Sequence, residues 1–187
     1  MNGPKFWKII EDAHAQANDN MAKKCEAIKE EIAKLSKSDA LAFSRLFDTM
    51  MDRAYTWGLW TAAQIIAGSC SGKHFSDFRA SLISRGSRTL EKAIVDPDSL
   101  AEEELDKTTW FYAGYEHSIF DSLTSILGKL PDREKPFQRE PYGEPCSLVD
   151  IEMRYPKLAK KFSFSDAIMS EVNGLHTSPA ILGIGSS

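Results

Sequence analysis

Between Ala54 and Gly86 the chain reads AYTWGLWTAAQIIAGSCSGKHFSDFRASLISRG, and this block leaves few folds open. Its first half, Ala54 to Gly68, is a nearly apolar run of about 15 residues, short of the roughly 20 that a membrane-crossing helix requires, so it predicts a buried core helix and no membrane partner. Gly68-Ser69-Cys70-Ser71-Gly72 then supplies backbone freedom that no helix interior wants. Phe75, Phe78, Leu82 and Ile83 resume at three- and four-residue steps, and Gly86 stands where a helix of that register ends. The block predicts two helices joined by a tight turn, with Trp57 and Trp60 on the first.

The same periodicity runs through the rest of the chain. Phe6, Trp7, Ile9 and Ile10 after Pro4 predict a first helix, and Ala22 to Leu35 a second whose Cys25, Ile28, Ile32 and Leu35 form one stripe. A third helix, capped by Ser38 or Asp39, carries Leu41, Phe43, Leu46, Phe47, Met50 and Met51 and runs on to the Gly68 turn with an interruption near Trp57-Gly58. Ser87 to Val95 predicts another helix, and Asp96-Pro97-Asp98-Ser99 a turn that heads an acidic segment from Leu100 to Asp106. Trp110 to Leu130 reads as a long aromatic-rich helix. Four prolines between Pro131 and Cys146 predict an extended arm over 131–146. Ile151 to Phe162 reads as helix bent or restarted at Pro156, and 163–187 as a serine- and glycine-rich tail, either a disordered end or a docking strand. No period-two run of strand length and no internal repeat is evident. The expected class is all-α: one compact multi-helix bundle over 5–162, with a proline-rich arm and a flexible C-terminal tail.

Charge narrows the function. Lysine plus arginine number 23 against 27 acidic residues in 187, a net charge of −4. A chain that neutralises phosphates usually carries the opposite sign, so nucleic acid is not the expected partner. Cys25, Cys70 and Cys146 are widely spaced and odd in number, which suits a reducing cytoplasm better than a disulfide framework. Met1 to Asn20 is charged and amphipathic and reads as no secretory leader, consistent with a cytoplasmic location.

A resemblance joins these residues. Phe6-Trp7 with Ile9 and Ile10, Phe43 and Phe47, the run Ala54 to Ala63, Gly68-Ser69-Cys70-Ser71, Phe75, Phe78-Arg79, Leu82-Ile83 and Gly86 resemble a bacterial domain-of-unknown-function family, number four-two-four-zero. Asp96-Pro97-Asp98-Ser99-Leu100, Gly143 and Tyr155-Pro156-Lys157-Leu158 fit the same pattern, so that the resemblance extends over roughly residues 5 to 162. It implies a compact helical bacterial domain and no assigned chemistry. Gly72-Lys73-His74 departs from the acidic residues usual in the family after the Cys-Ser pair.

Several constellations invite a chemical reading. Ala67 to His74 approaches a phosphate-loop spacing, but His74 stands where a magnesium-holding hydroxyl is needed and helical spacing precedes it, so an interhelical turn is expected. Amides at the start of the following helix beside Lys73 leave an anion site open. Cys70 and His74 suggest a nucleophile and base, against the commoner reading of a buried turn cysteine. His14, His74, His117 and His176 fall on different segments without ligand spacing, so no metal and no cofactor is expected. Glu116-His117 near Tyr112 and Tyr115 is a candidate polar pocket. Asp48, Asp52 and Arg53 lie one turn apart and could converge with Arg79 and Arg85 as interhelical ion pairs. Tyr55, Trp57 and Trp60 are candidate cavity walls, with core packing the default.

Two classes of function remain. The first is a non-catalytic helical protein-binding module whose partner is a basic, toxin-like protein, one form being a bacterial toxin-neutralising immunity protein. Asp98, Glu102, Glu103, Glu104 and Asp106 are its candidate contact residues, because an acidic surface steers an oppositely charged partner. The alternative is a small-ligand-binding domain or enzyme with a site around Cys70, Lys73, His74 and Arg79, of which Lys73, His74 and Arg79 are the candidate anion ligands.

Overall fold

The computed structural model describes residues 1–17, 19–104 and 106–162; the expected tail, 163–187, lies outside the described residues. The fold is all-α. In chain order the helices are α1 (Gly3–Ala17), α2 (Met21–Ala33), α3 (Lys37–Arg53), α4 (Trp57–Ala67), α5 (Gly72–Ile83), α6 (Ser87–Val95), α7 (Lys107–Trp110), α8 (Gly114–Leu127), α9 (Ile151–Arg154) and α10 (Pro156–Lys161). A 3-10 turn, Pro97–Glu102, follows α6, and another, Leu148–Asp150, precedes α9.

Apolar stripes decide the packing. Phe6, Ile9, Ile10 and Ala13 of α1 are buried, as are Cys25, Ile28 and Ile32 of α2, and α2 packs against both α1 and α8. Helix α3 sets Phe43 and Phe47 into the centre, where Phe6 meets Phe43 at 4.9 Å between ring centroids and Phe47 meets Phe120 edge-on at 6.1 Å. Phe75, Phe78, Leu82 and Ile83 bury the inner face of α5. These residues belong to one continuous core.

Three boundaries differ from the periodicity. Helix α3 is capped by Ser36, whose hydroxyl accepts the Asp39 amide at 3.2 Å, rather than by Ser38 or Asp39. The interruption falls at Ala54–Thr56, because Thr56 turns its hydroxyl onto the Leu59 amide at 3.1 Å and starts α4 as its cap. Gly58 is then inside a helix, and a Cβ there would stand 3.1 Å from Pro97 Cγ, so the close approach of the 3-10 turn offsets the helix-forming advantage that alanine would otherwise have. The helix expected from Trp110 to Leu130 is the shorter α8, Gly114–Leu127, and Trp110 instead ends α7. Asp106 caps the short α7 through the Thr108 amide, the Trp110 indole donates to the Glu104 carbonyl at 3.0 Å, and Phe111–Ala113 break the path before α8. Helix α8 stops at Gly128, which takes φ +85°.

The arm, as expected, carries no helix between Gly128 and Ser147. Tyr142 pins it to the α3–α4 junction: its amide donates to the Tyr55 carbonyl at 2.9 Å and its carbonyl accepts the Trp57 amide at 3.0 Å, an isolated parallel bridge. Pro156 restarts the chain as α10, which packs on the Pro97–Glu102 turn and on α4.

Candidate functional site

The acidic run is largely occupied by the chain itself. Asp98 is buried, and its two oxygens accept the Lys157 and Leu158 amides of α10 at 3.1 and 2.9 Å, so it fastens one helix to another and presents no charge to a partner. Glu102 bridges Lys92 at 2.5 Å and Lys157 at 3.0 Å, and these hydrogen bonds hold its carboxyl below the usual range. Lys161 covers the Ala101 and Glu103 carbonyls. Asp106 is committed to the Thr108 amide and hydroxyl. Glu104 is exposed and Glu103 half-buried.

The alternative cluster is dispersed. Helix α4, not a strand, precedes the Gly68–Gly72 turn, and Ser71 caps α5 through the His74 amide at 3.3 Å. Lys73 and His74 are exposed on the first turn of α5, the His74 ring 6.4 Å from Phe111. Burial pushes the Cys70 thiol up to about 11, the reverse of what an activated nucleophile needs. Arg79 turns away from these residues toward α3. Its guanidinium donates to the Met51 carbonyl at 2.8 Å and stands over Tyr55 and Phe75 at 4.8 and 5.1 Å.

Where Arg79 points, a cleft of about 280 Å³ opens between α3, α5 and α8 under the first part of the arm. Ser44, Asp48, Met51 and Asp52 share one face of α3 because they recur at four- and three-residue steps; Ser76 and Arg79 do the same on α5, and Glu116 and Phe120 on α8. Leu130, Pro131, Arg133 and Phe137 of the arm close it. A neighbouring hollow of about 210 Å³ shares Asp52, Ser76, Arg79 and Phe137 and is walled by Tyr55 and Trp60. Trp60 thus borders a cavity as well as packing at 4.6 Å on Phe75.

Three carboxylates face two guanidiniums in the cleft. Arg133 divides its fork, one nitrogen on Asp48 at 2.9 Å and the other on Asp52 at 2.6 Å, and lies over its own Phe137 at 4.1 Å. Burial raises the Asp48 carboxyl, with Arg133 opposing and Asp52 adding to the rise. Burial likewise raises Glu116, against the Ser76 hydroxyl at 3.3 Å and the charge of Arg79. The Glu116-His117 pair separates: Glu116 enters the cleft while exposed His117 hydrogen-bonds the carbonyl of Ala113, the residue before α8, at 2.6 Å.

Of the sequence candidates, Arg79, Asp48, Asp52 and Glu116 come together at the cleft, and Tyr55 and Trp60 wall the hollow beside it. Arg53 pairs instead with Glu91 at 2.6 and 2.7 Å, and Arg85 with Asp19 at 3.1 Å. Arg133 is the residue the sequence conceals, since nothing in a proline-rich arm marks which of its charges turns inward. A second unforeseen feature is Lys24, fully buried on α2, with Asp19, at 3.2 Å, as its ion-pair partner among the described residues; burial and the nearby Arg85 push it down to about 8. Among the described residues no three His, Cys, Asp or Glu side chains gather as metal ligands, and no helix is long and apolar enough to cross a membrane.

Residues 1–130 match a family described as "Protein of unknown function (DUF4240)". The match contains α1 to α8 and stops before Pro131, Arg133 and Phe137, so every wall of the cleft except most of its arm lies within it. No curated protein and no solved structure gives a significant match.

Proposed function

This chain belongs to the DUF4240 family, whose description assigns no chemistry, and we propose that it is a non-catalytic helical module that binds a basic partner protein. A toxin-neutralising immunity protein of the bacterial cytoplasm is one concrete form of such a module. The observation that carries the reading is the cleft: its carboxylates outnumber its guanidiniums, and two of them already grip an arginine delivered from a distant segment. A surface that holds an arginine from its own arm is chemically suited to hold one from a neighbour, and the net charge of −4 favours encounter with a basic protein. The unpaired state of Cys25, Cys70 and Cys146 supports a reducing compartment. The raised thiol of Cys70 weighs against the enzyme reading.

The test is capture with the tagged full-length chain from native cytoplasm in low salt, mass spectrometry of the eluate, and reconstitution from the two purified proteins. The reading expects a stoichiometric basic protein whose association weakens at least tenfold between low and moderate salt, as charge steering requires. Recovery of a retained metabolite without any protein would move the argument to the ligand-binding alternative.

A further inference from the structure

We infer that the notch between Asp48 and Asp52 is a recognition site for an alkyl guanidinium brought by another molecule, and that Arg133 is a tethered occupant of the same chemistry. The inference deepens the binding-module reading and rests on it for the source of the guanidinium.

Geometry is the first support. Asp48 and Asp52 are one helical turn apart on α3, so their carboxylates stand side by side at the spacing of a planar fork, and the two terminal nitrogens of Arg133 meet them at 2.9 and 2.6 Å. A lysine, with one compact ammonium, does not reproduce that arrangement. The acceptors lie on a rigid helix and the donor on a segment without secondary structure.

The manner of attachment is the second. Among the described residues, no backbone hydrogen bond ties 129–141 to the helices; Tyr142 is where the arm is fastened, and an exposed Arg45–Glu134 pair at 2.8 Å is its other polar link beside Arg133. Phe137, which stacks on Arg133, is 76% exposed. A guanidinium that leaves Asp48 and Asp52 therefore breaks two ion pairs to α3, keeps its partners Phe137 and the Lys135 carbonyl within the arm, and disrupts no helix.

Space and unspent charge are the third. Behind Arg133 the cleft remains open for about 280 Å³. Arg79 is committed to the Met51 and Phe75 carbonyls, and the Glu116 carboxyl has the Ser76 hydroxyl as its hydrogen-bond partner. An incoming guanidinium on a flexible stem replaces the two contacts of Arg133 in kind and brings positive charge near the third carboxylate. The tethered arginine competes with it at an effective concentration set by the arm, which makes binding conditional on what else the visitor offers.

A guanidinium can arrive on a free metabolite or on an arginine of a partner protein, and two probes separate these. Agmatine, an alkyl guanidinium, and N-acetyl-arginine amide, which presents the side chain as a protein does, are titrated calorimetrically into the full-length chain, its Arg133→Ala variant, and Arg133→Ala carrying Asp48→Asn and Asp52→Asn. The expected result is binding of agmatine to Arg133→Ala at least tenfold tighter than to the unaltered chain, with at least a tenfold loss when both aspartates are replaced. Equal binding of the acetylated amide assigns the site to a protein arginine; binding of agmatine alone assigns it to a small guanidine. If the double aspartate variant fails to fold, judged by circular dichroism, Asp52→Asn alone on the Arg133→Ala background must weaken binding at least threefold. Folded Arg133→Ala that binds neither probe, or binds no better than the unaltered chain, overturns the inference. The binding-module reading survives that outcome if a basic partner is still captured, and falls separately if none is.

Discussion

Lys24 is the residue at which charge and burial conflict most plainly. Its pKa near 8, against 10.5 for an unhindered lysine, means that between these values the unfolded chain holds a proton that the folded chain has released. Unfolding then takes up a proton, so raising the pH through that window favours the folded state; below about 8 both states are charged and the penalty is fully present. Lys24→Met removes the penalty, and the difference in unfolding free energy between variant and parent should shrink by up to about 3 kcal/mol from pH 7 to pH 10. Urea titrations at the two pH values read this, and a constant difference would mean that Lys24 is not charged at the cost of stability. Asp98 has the opposite character, since its carboxylate satisfies two amides of α10. Asp98→Ala leaves both without acceptor and should cost about 2–3 kcal/mol, whereas Glu104→Ala, on an exposed side chain of the same run, should change stability by less than about 0.5 kcal/mol. Sequence placed both in one acidic patch, because acidity is visible in a string and its internal partners, about sixty positions away, are not.

Helix boundaries depend on chemistry of unequal visibility. The limits of α6 were legible at both ends: Gly86 before Ser87, and Asp96-Pro97 after Val95, punctuate the chain with residues of fixed conformational meaning. The junction of α7 and α8 was hidden, since the apolar spacing from Trp110 onward suits one helix; the Asp106 cap and the Trp110 indole on the Glu104 carbonyl fix a short α7 before it, and Phe111 leaves helical geometry. At the start of α4, Thr56→Ala removes the capping hydroxyl from Leu59 and should cost about 1 kcal/mol. Gly58→Ala is more telling. In an open helix interior the change stabilises by about 1 kcal/mol, but here the methyl meets the Pro97 ring at 3.1 Å, so no gain is expected in thermal or urea unfolding. A gain of the full amount would show that the Pro97–Glu102 turn yields and that its contact with α4 does not position it.

Across the whole molecule, the all-α class and most of its helices were legible because the apolar residues recur with one period, and Phe6, Phe43, Phe75 and Phe78 meet in one core accordingly. The candidate site was legible by parts. Asp48, Asp52, Arg79 and Glu116 each drew notice on their own helices, yet their convergence depends on how α3, α5 and α8 cross and on an arm arginine that pairs with residues 85 and 81 positions earlier. Such a contact leaves no period to read. A helical scaffold holds an acidic cleft and lets its own arm fill part of it; in the proposed function this cleft receives a basic partner. Parallel capture from native cytoplasm with three baits tests this most directly: the unaltered chain, Asp48→Asn with Asp52→Asn, and Glu102→Gln with Glu103→Gln and Glu104→Gln. The account predicts that a stoichiometric basic protein is recovered with the first and third baits and lost from the second, each bait being folded by circular dichroism; equal recovery on the second bait, or loss confined to the third, would contradict it and return recognition to the acidic run.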